Sequence, residues 1–417
     1  MASPSLVRDL RALVGSEHAL GPRAAGRFAI DGVAPAAVVR PGTYEEVATV
    51  LGYAHAGGLA VVPWGAGTMM GRGNAPRRYD IALDLSRLDQ LVEHEPADLT
   101  VTCQAGLTLG ALQSHLAQAG QMAPFDPSLP EKATIGGVLA LAADGPARSA
   151  YGGPRDFTIG MKVVTADGRI TKAGGRVVKN VAGYDLCKLY IGSLGTLGVI
   201  VEATFKLIPR PRAERSLAVG MDEAAEACVL AREAHRRGLA LRAALLLNDA
   251  GAAGPHPGGS YVLALDLAGS PAAVERSGRD VAALARESGA FPLAAPPQAP
   301  AAQPLFRCRF SILPSRLPDL LAAVEVMGNG PTIVAAPLSG LLWAEWRRGR
   351  PDALLSCLRD TAARLQASVI VERCPTELKR SIDVFGEPPP AFALMRRLKR
   401  EFDPADILSP GRFVGGL

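Results

Sequence analysis

The segment Val61-Val62-Pro63-Trp64-Gly65-Ala66-Gly67-Thr68-Met69-Met70-Gly71 runs an apolar strand directly into a glycine-rich turn. Successive backbone N–H groups in such a turn form a nest for an anion, and small side chains let phosphate oxygens come close to the chain. A plain tight turn would read the same way when taken alone. The loop is not a GxGxxG dinucleotide fingerprint, because Met70 fills the third position and a strand follows at 80–85. It also lacks the GK[ST] ending of a nucleotide-triphosphate loop, so a phosphate bound here belongs to a site of another class.

Two further glycine clusters have the same character. Thr134-Ile135-Gly136-Gly137 opens an apolar stretch and is followed by Arg148, Tyr151-Gly152-Gly153 and Arg155-Asp156. Paired glycines at that point allow close backbone approach to something flat or anionic, or else tight packing of a helix start. Lys179-Asn180-Val181-Ala182-Gly183-Tyr184-Asp185-Leu186 then leads to Gly192-Ser193-Leu194-Gly195-Thr196-Leu197-Gly198-Val199-Ile200. That density of glycine beside a lysine exceeds what a helix, turn and strand require, and points to backbone contact with a ligand.

The elements that must position these loops follow from periodicity and caps. Short β-rich runs (AAVVR, LAVVP, DIALDL, LTVTCQAG) alternate with helices from about 37 to 200, which predicts an α+β or α/β first domain. Thr43 caps a helix with Glu45 and Glu46 in its first turn and Gly57-Gly58 at its end; Val47, Val50 and Leu51 are its buried stripe. A second helix, 109–119, buries Leu109, Leu112 and Leu116, with His115 packed at the core edge. After Pro209-Arg210-Pro211 the texture changes to helices at 222–237, 272–288 and 352–367 and strands LRAALLLN, SYVLALDLAG, PLFRCRFSIL and SVIVER, an antiparallel sheet with helices on one face. A Pro/Ala-rich loop, 294–304, interrupts it. The expected domains are 1–210, 211–370 and a closing segment, 371–417, that packs back on the first.

Composition limits the function classes. With 417 residues, 48% of them hydrophobic, the chain can build large cores, and disorder is excluded. The charge of +5, from 45 basic and 40 acidic residues, does not call for nucleic acid. Six cysteines stand singly, without CxxC spacing or histidine neighbours, which reads as reduced thiols in the cytosol and no metal site. The N-terminal segment reads as a short amphipathic helix, and no apolar run approaches the ~20 residues that cross a bilayer. Basic clusters at Arg347, Arg348, Arg350 and at Arg396, Arg397, Lys399, Arg400 read as solvated helix faces, with contact to acidic lipid or a partner as the alternative.

In this order and spacing, the region 37–209 resembles the FAD-binding domain of the vanillyl-alcohol oxidase and p-cresol methylhydroxylase superfamily. The residues that carry the resemblance are PGTYEEV, PWGAGT, ATIGG and GSLGTLGVI, and the closing FDPADILSPGRF is similar to that superfamily's C-terminal signature. RDFTIGMKVVTADGRI, with GGRVVKNVAGYDLCKLYIGSLGTLGVI, looks closest to the FAD-binding E-type subunits of glycolate oxidases. The resemblance implies an α+β fold: a two-subdomain PCMH-type FAD-binding domain, a reduced α+β cap, and a C-terminal return. It implies that Trp64, Gly65, Ala66, Gly67, Thr68 and Met69 hold the FAD pyrophosphate and that Thr134, Gly136 and Gly137 support the flavin side. Gly195, Gly198, Val199 and Ile200 would line the flavin, with Lys179, Asn180 and Tyr184 as polar neighbours. A lysine near reduced flavin would stabilise its anion and raise its potential.

The implied partners are a homologous catalytic flavoprotein subunit and an iron–sulfur subunit, converting glycolate, a small 2-hydroxy acid, to glyoxylate. The implied location is cytoplasmic, or peripheral to the inner membrane through the complex. Some members attach FAD through a histidine near the first loop, but PWGAGTMMGRG has none, so FAD is expected to be non-covalent. Catalytic subunits of the 2-hydroxyacid branch usually read GSEGT; Leu194 stands here at the glutamate position. Catalytic relatives carry histidines and a glutamate in the second domain, yet none of the six histidines here follows His256. His235 sits on a polar helix face and His256 in a Gly/Pro loop. Arg307, Arg309 and Arg347 could receive a carboxylate, but oxidation of a hydroxy acid also needs a base, and none is identifiable. Glu372, Arg373 and Lys379 read as surface residues. The expected role is an accessory or electron-transferring flavin subunit; a self-sufficient 2-hydroxyacid (glycolate or D-lactate) dehydrogenase and a flavin-free structural subunit are the alternatives.

Overall fold

The computed structural model describes residues 4–175, 183–252, 259–293 and 304–417. Lys179, Asn180, His256 and most of the Pro/Ala-rich loop fall outside the described residues. The chain divides into two compact units. The first comprises Met1–Gly145, Gly152–Arg210 and Glu387–Leu417, and the second Pro146–Tyr151 and Pro211–Gly386. The second boundary lies later than residue 370, because strand Ser368–Arg373 is the edge of the second unit's sheet and Val371 donates its N–H to Val384 O at 2.8 Å.

The first unit contains two sheets. In the first, the order is Ala19–Leu20, Ala37–Val39, Ile81–Asp84, Val61–Trp64, and the last three strands are parallel. The helix between the parallel strands, Tyr44–Gly57, forms as its caps dictate. Glu46 donates its N–H to Thr43 Oγ1 at 3.1 Å, and Gly58 turns left-handed at φ 61°. Val47, Val50 and Leu51 are fully buried beneath it. The second sheet is antiparallel, in the order Leu91–Glu95, Thr100–Gln104, Val199–Lys206, Thr158–Val164, Ile170–Gly174. One core joins both sheets, and the N-terminal helix Pro4–Val14 adds Leu6, Leu10 and Val14 to it.

The C-terminal segment returns to the first sheet. Val61 donates to Ile407 O at 2.7 Å and Ser409 donates to Val61 O at 2.9 Å, so residues 407–409 lie along the edge strand that becomes the first glycine loop. His115 meets His94, Nε2 to Nδ1 at 3.2 Å, at the margin of the core.

The second unit is one antiparallel sheet of eight strands, ordered Phe291–Leu293, Ala213–Met221, Tyr261–Gly269, Leu241–Asn248, Thr332–Ala336, Leu341–Trp346, Phe306–Ser311, Ser368–Arg373. Alternation decides its faces. Phe306, Cys308 and Phe310 are fully buried against a core shared with helices Leu317–Glu325 and Pro351–Leu365, while Arg307 and Arg309 point to the opposite face. Four strands of this sheet escape the sequence reading: Ala213–Met221, Phe291–Leu293, Thr332–Ala336 and Leu341–Trp346. Together these elements make the α+β fold expected. Among the described residues, no helix is long and apolar enough to cross a membrane.

All six cysteines are free thiols, and four are buried. Burial pushes the Cys103 thiol up to about 12 and those of Cys187 and Cys228 to about 11, far from the reactive thiolate. In the native protein at about pH 8, iodoacetamide should label Cys357 first and leave Cys103, Cys187, Cys228 and Cys308 untouched until denaturant is added. Peptide mapping of the alkylated protein checks this, and early labelling of Cys103 would contradict the packing described.

Candidate functional site

Where the strand Val61–Trp64 ends, the Trp64 ring turns back into the protein. Its Nε1 donates to Tyr79 Oη at 2.5 Å, Tyr79 donates in turn to Phe28 O at 3.1 Å, and the Phe28 ring meets it edge-on at 4.9 Å. This anchor fixes the direction in which Gly65 to Met69 leave the sheet. Burial raises the Tyr79 hydroxyl well above its ordinary range, so it stays protonated as a donor.

Across from this loop, the helix Ile135–Leu141 begins at Thr134. Gly136 donates to Ala105 O at 2.7 Å, which holds the helix start against the second sheet. A Cβ on Gly65 would fall inside the contact distance of Thr134 Oγ1, so the two loops approach as closely as backbone allows. The third wall is the loop before Val199–Lys206. Gly195 is left-handed at φ 69°, and a Cβ there would sit 3.2 Å from Pro63 Cγ. Leu194 is also left-handed, at φ 55°, a conformation that costs a branched side chain energy and is held by its N–H to Ala140 O at 2.8 Å.

These walls enclose about 80 Å³ that opens into a cleft of about 690 Å³, mouth included. The lining is mostly apolar: Val62, Pro63, Met69, Met70, Leu85, Leu141, Leu194 and Ile200, with the glycines between them. One cation faces it. Arg412 is 3% exposed and donates to the carbonyls of Met70 at 2.9 Å, Arg72 at 2.7 Å and Asn74 at 3.3 Å. Burial pulls its guanidinium down to about 10, which leaves it charged at neutral pH. Beside Gly195, the Ser409 hydroxyl is fully buried with no hydrogen-bond partner, at a residue whose own φ is 46°.

Of the residues singled out from the sequence, Trp64, Gly65, Met69, Thr134, Gly136, Gly137, Gly195, Gly198 and Ile200 come together around this cavity. Ala66, Gly67, Thr68 and Val199 belong to the same loops but not to its lining. Tyr184 is 94% exposed and contributes nothing to the lining. Lys179 and Asn180 lie outside the described residues. Sequence reasoning missed Arg412; its only signal is a lone cation directly after Ser409-Pro410-Gly411. Lys399, grouped by sequence with a solvated basic cluster, is 5% exposed, whereas its neighbours Arg396, Arg397 and Arg400 are exposed. Glu372 and Lys379 are likewise buried, at 6% and 4%, in the second unit rather than at its surface. Among the described residues, no group of three or more His, Cys, Asp or Glu side chains is placed to hold a metal ion.

Comparison with known proteins gives the class. Residues 35–174 match the FAD binding domain family, and residues 386–413 match the C-terminal domain of FAD linked oxidases. Two segments of the chain thus match the cofactor domain and the C-terminal domain of FAD linked oxidases. Among curated relatives, it is 36% identical over 183 residues to the glycolate oxidase subunit GlcD of Bacillus subtilis (strain 168), covering 44% of this chain and 39% of the relative. It is 44% identical over 128 residues to the glycolate oxidase subunit GlcE of Escherichia coli (strain K12), covering 30% and 37%. A D-2-hydroxyglutarate dehydrogenase of Xanthomonas citri pv. viticola is 38% identical over 177 residues, covering 42% and 38%. The chain therefore spans under two fifths of each of these relatives. Two solved structures share the fold at 17% identity. An alkyldihydroxyacetonephosphate synthase has a TM-score of 0.75 and covers 98% of this chain and 85% of that one. A substrate-bound p-cresol methylhydroxylase has a TM-score of 0.74 and covers 98% and 96%.

The residues fit FAD. Glycine backbone borders an apolar slot suited to a flat ring system, a buried cation faces the same space, and a buried hydroxyl beside it lacks a partner. The close approach at Gly65 can be tested. Gly65→Val should weaken FAD binding by about tenfold or more, ~1.4 kcal/mol, because Thr134 or the cofactor must give way. Gly71→Ala, where the added carbon meets no atom within 4 Å, should bind FAD as the wild type does. Fluorescence titration of the apoprotein measures both, and equal affinity in the two variants would refute the packing argument.

Proposed function

We propose that this chain holds FAD without a covalent bond in the cavity of its first unit. We further propose that it serves as the flavin subunit of a complex oxidising glycolate, or a related 2-hydroxy acid, to the 2-oxo acid. The pyrophosphate would lie on the backbone of Trp64 to Met69, opposite the Arg412 charge. The flavin ring would lie against Thr134, Gly136, Gly137, Gly195, Gly198 and Ile200, with Lys179 and Asn180 at its margin. FAD, when bound, accepts two electrons and can pass them on singly. The chain's own residues exclude water from the slot through Met69, Leu85, Leu141 and Leu194, and keep a cation beside the phosphates through Arg412. The observation that carries the cofactor assignment is the convergence of three glycine loops and that buried arginine on one apolar cavity.

The accessory role rests on the second unit. Two of its three candidate arginines are already paired: Arg307 meets Glu345 Oε1 at 2.8 Å and Glu372 Oε2 at 3.0 Å, and Arg309 meets Glu372 Oε1 at 3.5 Å. A substrate carboxylate would have to displace Glu372, whose side chain is 1% exposed, at the cost of stranding a buried charge. His235 is exposed on its helix. The partners this reading calls for are a homologous catalytic flavoprotein subunit and an iron–sulfur subunit. Similarity to both GlcD and GlcE supports membership in such a complex.

Anaerobic visible spectra separate this reading from its rivals. The purified chain should bind FAD and keep its oxidised spectrum when glycolate is added. The flavin should bleach once the catalytic partner is present. Bleaching by glycolate alone would make the chain a dehydrogenase in its own right, and failure to take up FAD would make it a structural subunit.

A further inference from the structure

The basic cluster of the C-terminal helix contains one residue that does not behave as its sequence suggests. In Phe392–Phe402, Arg396, Arg397 and Arg400 are exposed, but the Lys399 side chain is only 7% exposed. Its ammonium has three protons, and each has an acceptor: Asp403 Oδ2 at 2.6 Å, Leu408 O at 2.9 Å and Thr196 O at 3.0 Å. Asp406 Oδ1 stands further off, at 3.5 Å. The Asp403 carboxylate is itself fully engaged, accepting the N–H groups of Ile407 at 3.1 Å and Leu408 at 2.8 Å.

Two of those acceptors lead to two adjoining walls of the flavin cavity. Thr196 lies between Gly195 and Gly198, which line the cavity, and is 2% exposed. The first half of that loop is tied elsewhere, with Gly192 donating to Leu139 O and Leu194 to Ala140 O. The carbonyl of its second half is tied to Lys399. Leu408 lies in the segment paired with Val61, at the head of the strand whose Val62, Pro63, Trp64 and Gly65 form the adjoining wall. Without the ammonium, a buried carbonyl on each wall would lose its donor, and unsatisfied buried carbonyls drive the backbone to rearrange.

We infer that Lys399 is a positioning residue for the cofactor: one buried cation sets the separation of the 192–198 loop from the strand that feeds the pyrophosphate loop. It acts through Thr196 and Leu408 and does not itself line the cavity. This inference rests on the reading that FAD occupies the cavity, and it extends that reading to a residue outside the lining.

Removing the lysine alone would strand Asp403, so the informative variant is Lys399→Met/Asp403→Asn, which removes both charges and leaves an amide oxygen for one of the Ile407 and Leu408 N–H groups. FAD titration of the apoprotein should give a dissociation constant about tenfold above wild type, as expected for loss of a hydrogen bond to a charged group. The visible spectrum of the bound flavin should also lose vibronic structure, with circular dichroism unchanged at the assay temperature. An unchanged dissociation constant and spectrum in the folded double variant would overturn the inference. If the double variant does not fold, Lys399→Arg decides: it keeps the charge on Asp403 but cannot point three donors as the ammonium does. A severalfold rise in its dissociation constant supports the positioning role, and wild-type binding overturns it. A wild-type chain that takes up no FAD at all would instead remove the cofactor reading on which the inference stands.

Discussion

The pairing of residues 407–409 with Val61 is the contact on which the rest of the first unit depends. Closing a loop between distant parts of a chain costs entropy that rises only slowly with its length, and here the closure sets two short backbone hydrogen bonds on the edge strand of the first sheet. Everything downstream follows from that register. Pro410 accepts from Arg77 N–H at 2.9 Å, Arg412 accepts from Asn74 N–H at 3.0 Å, and the Arg412 guanidinium is carried under the carbonyls of 70–74. The glycine loop would otherwise leave the sheet unsupported on one side. It is the return of the chain end that turns a loop into a wall.

Buried charge is used in both units, with different effect. In the first, Lys399 with Asp403, and Arg412 with a set of carbonyls, fix backbone segments at stated distances. Buried ion pairs of this kind add little net stability, because desolvation offsets most of their attraction, but breaking one is costly. They are therefore better understood as fixing one backbone arrangement than as holding the fold together, which here falls to the continuous apolar core beneath both sheets. In the second unit, Arg307, Arg309, Glu345 and Glu372 cancel one another on the sheet face opposite the helices. Those four side chains carry no net charge among them, which makes them a poor receptor for a small anion.

Much of the fold was legible because local signals agreed with one another. The helix Tyr44–Gly57 had its cap, its acidic first turn, its apolar stripe and its terminal glycines in register, and it forms where those signals put it. The strands Ala37–Val39, Val61–Trp64, Ile81–Asp84 and Thr100–Gln104 were flagged by β-branched residues. Of the strands that were missed, Ala213–Met221 is exposed over its first half and rich in small residues, whereas Thr332–Ala336 carries three β-branched residues but is short and ends in two alanines. Their strand state comes from neighbours on both sides of an eight-stranded sheet, which no window of sequence contains.

The sequence by itself marked positions where backbone can approach a neighbour closely, because a residue without a Cβ allows this at no steric cost. The resemblance those loops carry to a known FAD-binding superfamily also pointed to the class of cofactor domain. What only the tertiary structure decided was which charges matter. Lys399 and Arg396 are indistinguishable in a basic helix, as are Arg412 and any other arginine in a glycine turn. Their roles depend on burial and on the carbonyls within reach, and those carbonyls come from residues 70–74, 196 and 408, which are brought together by chain topology and by no local propensity.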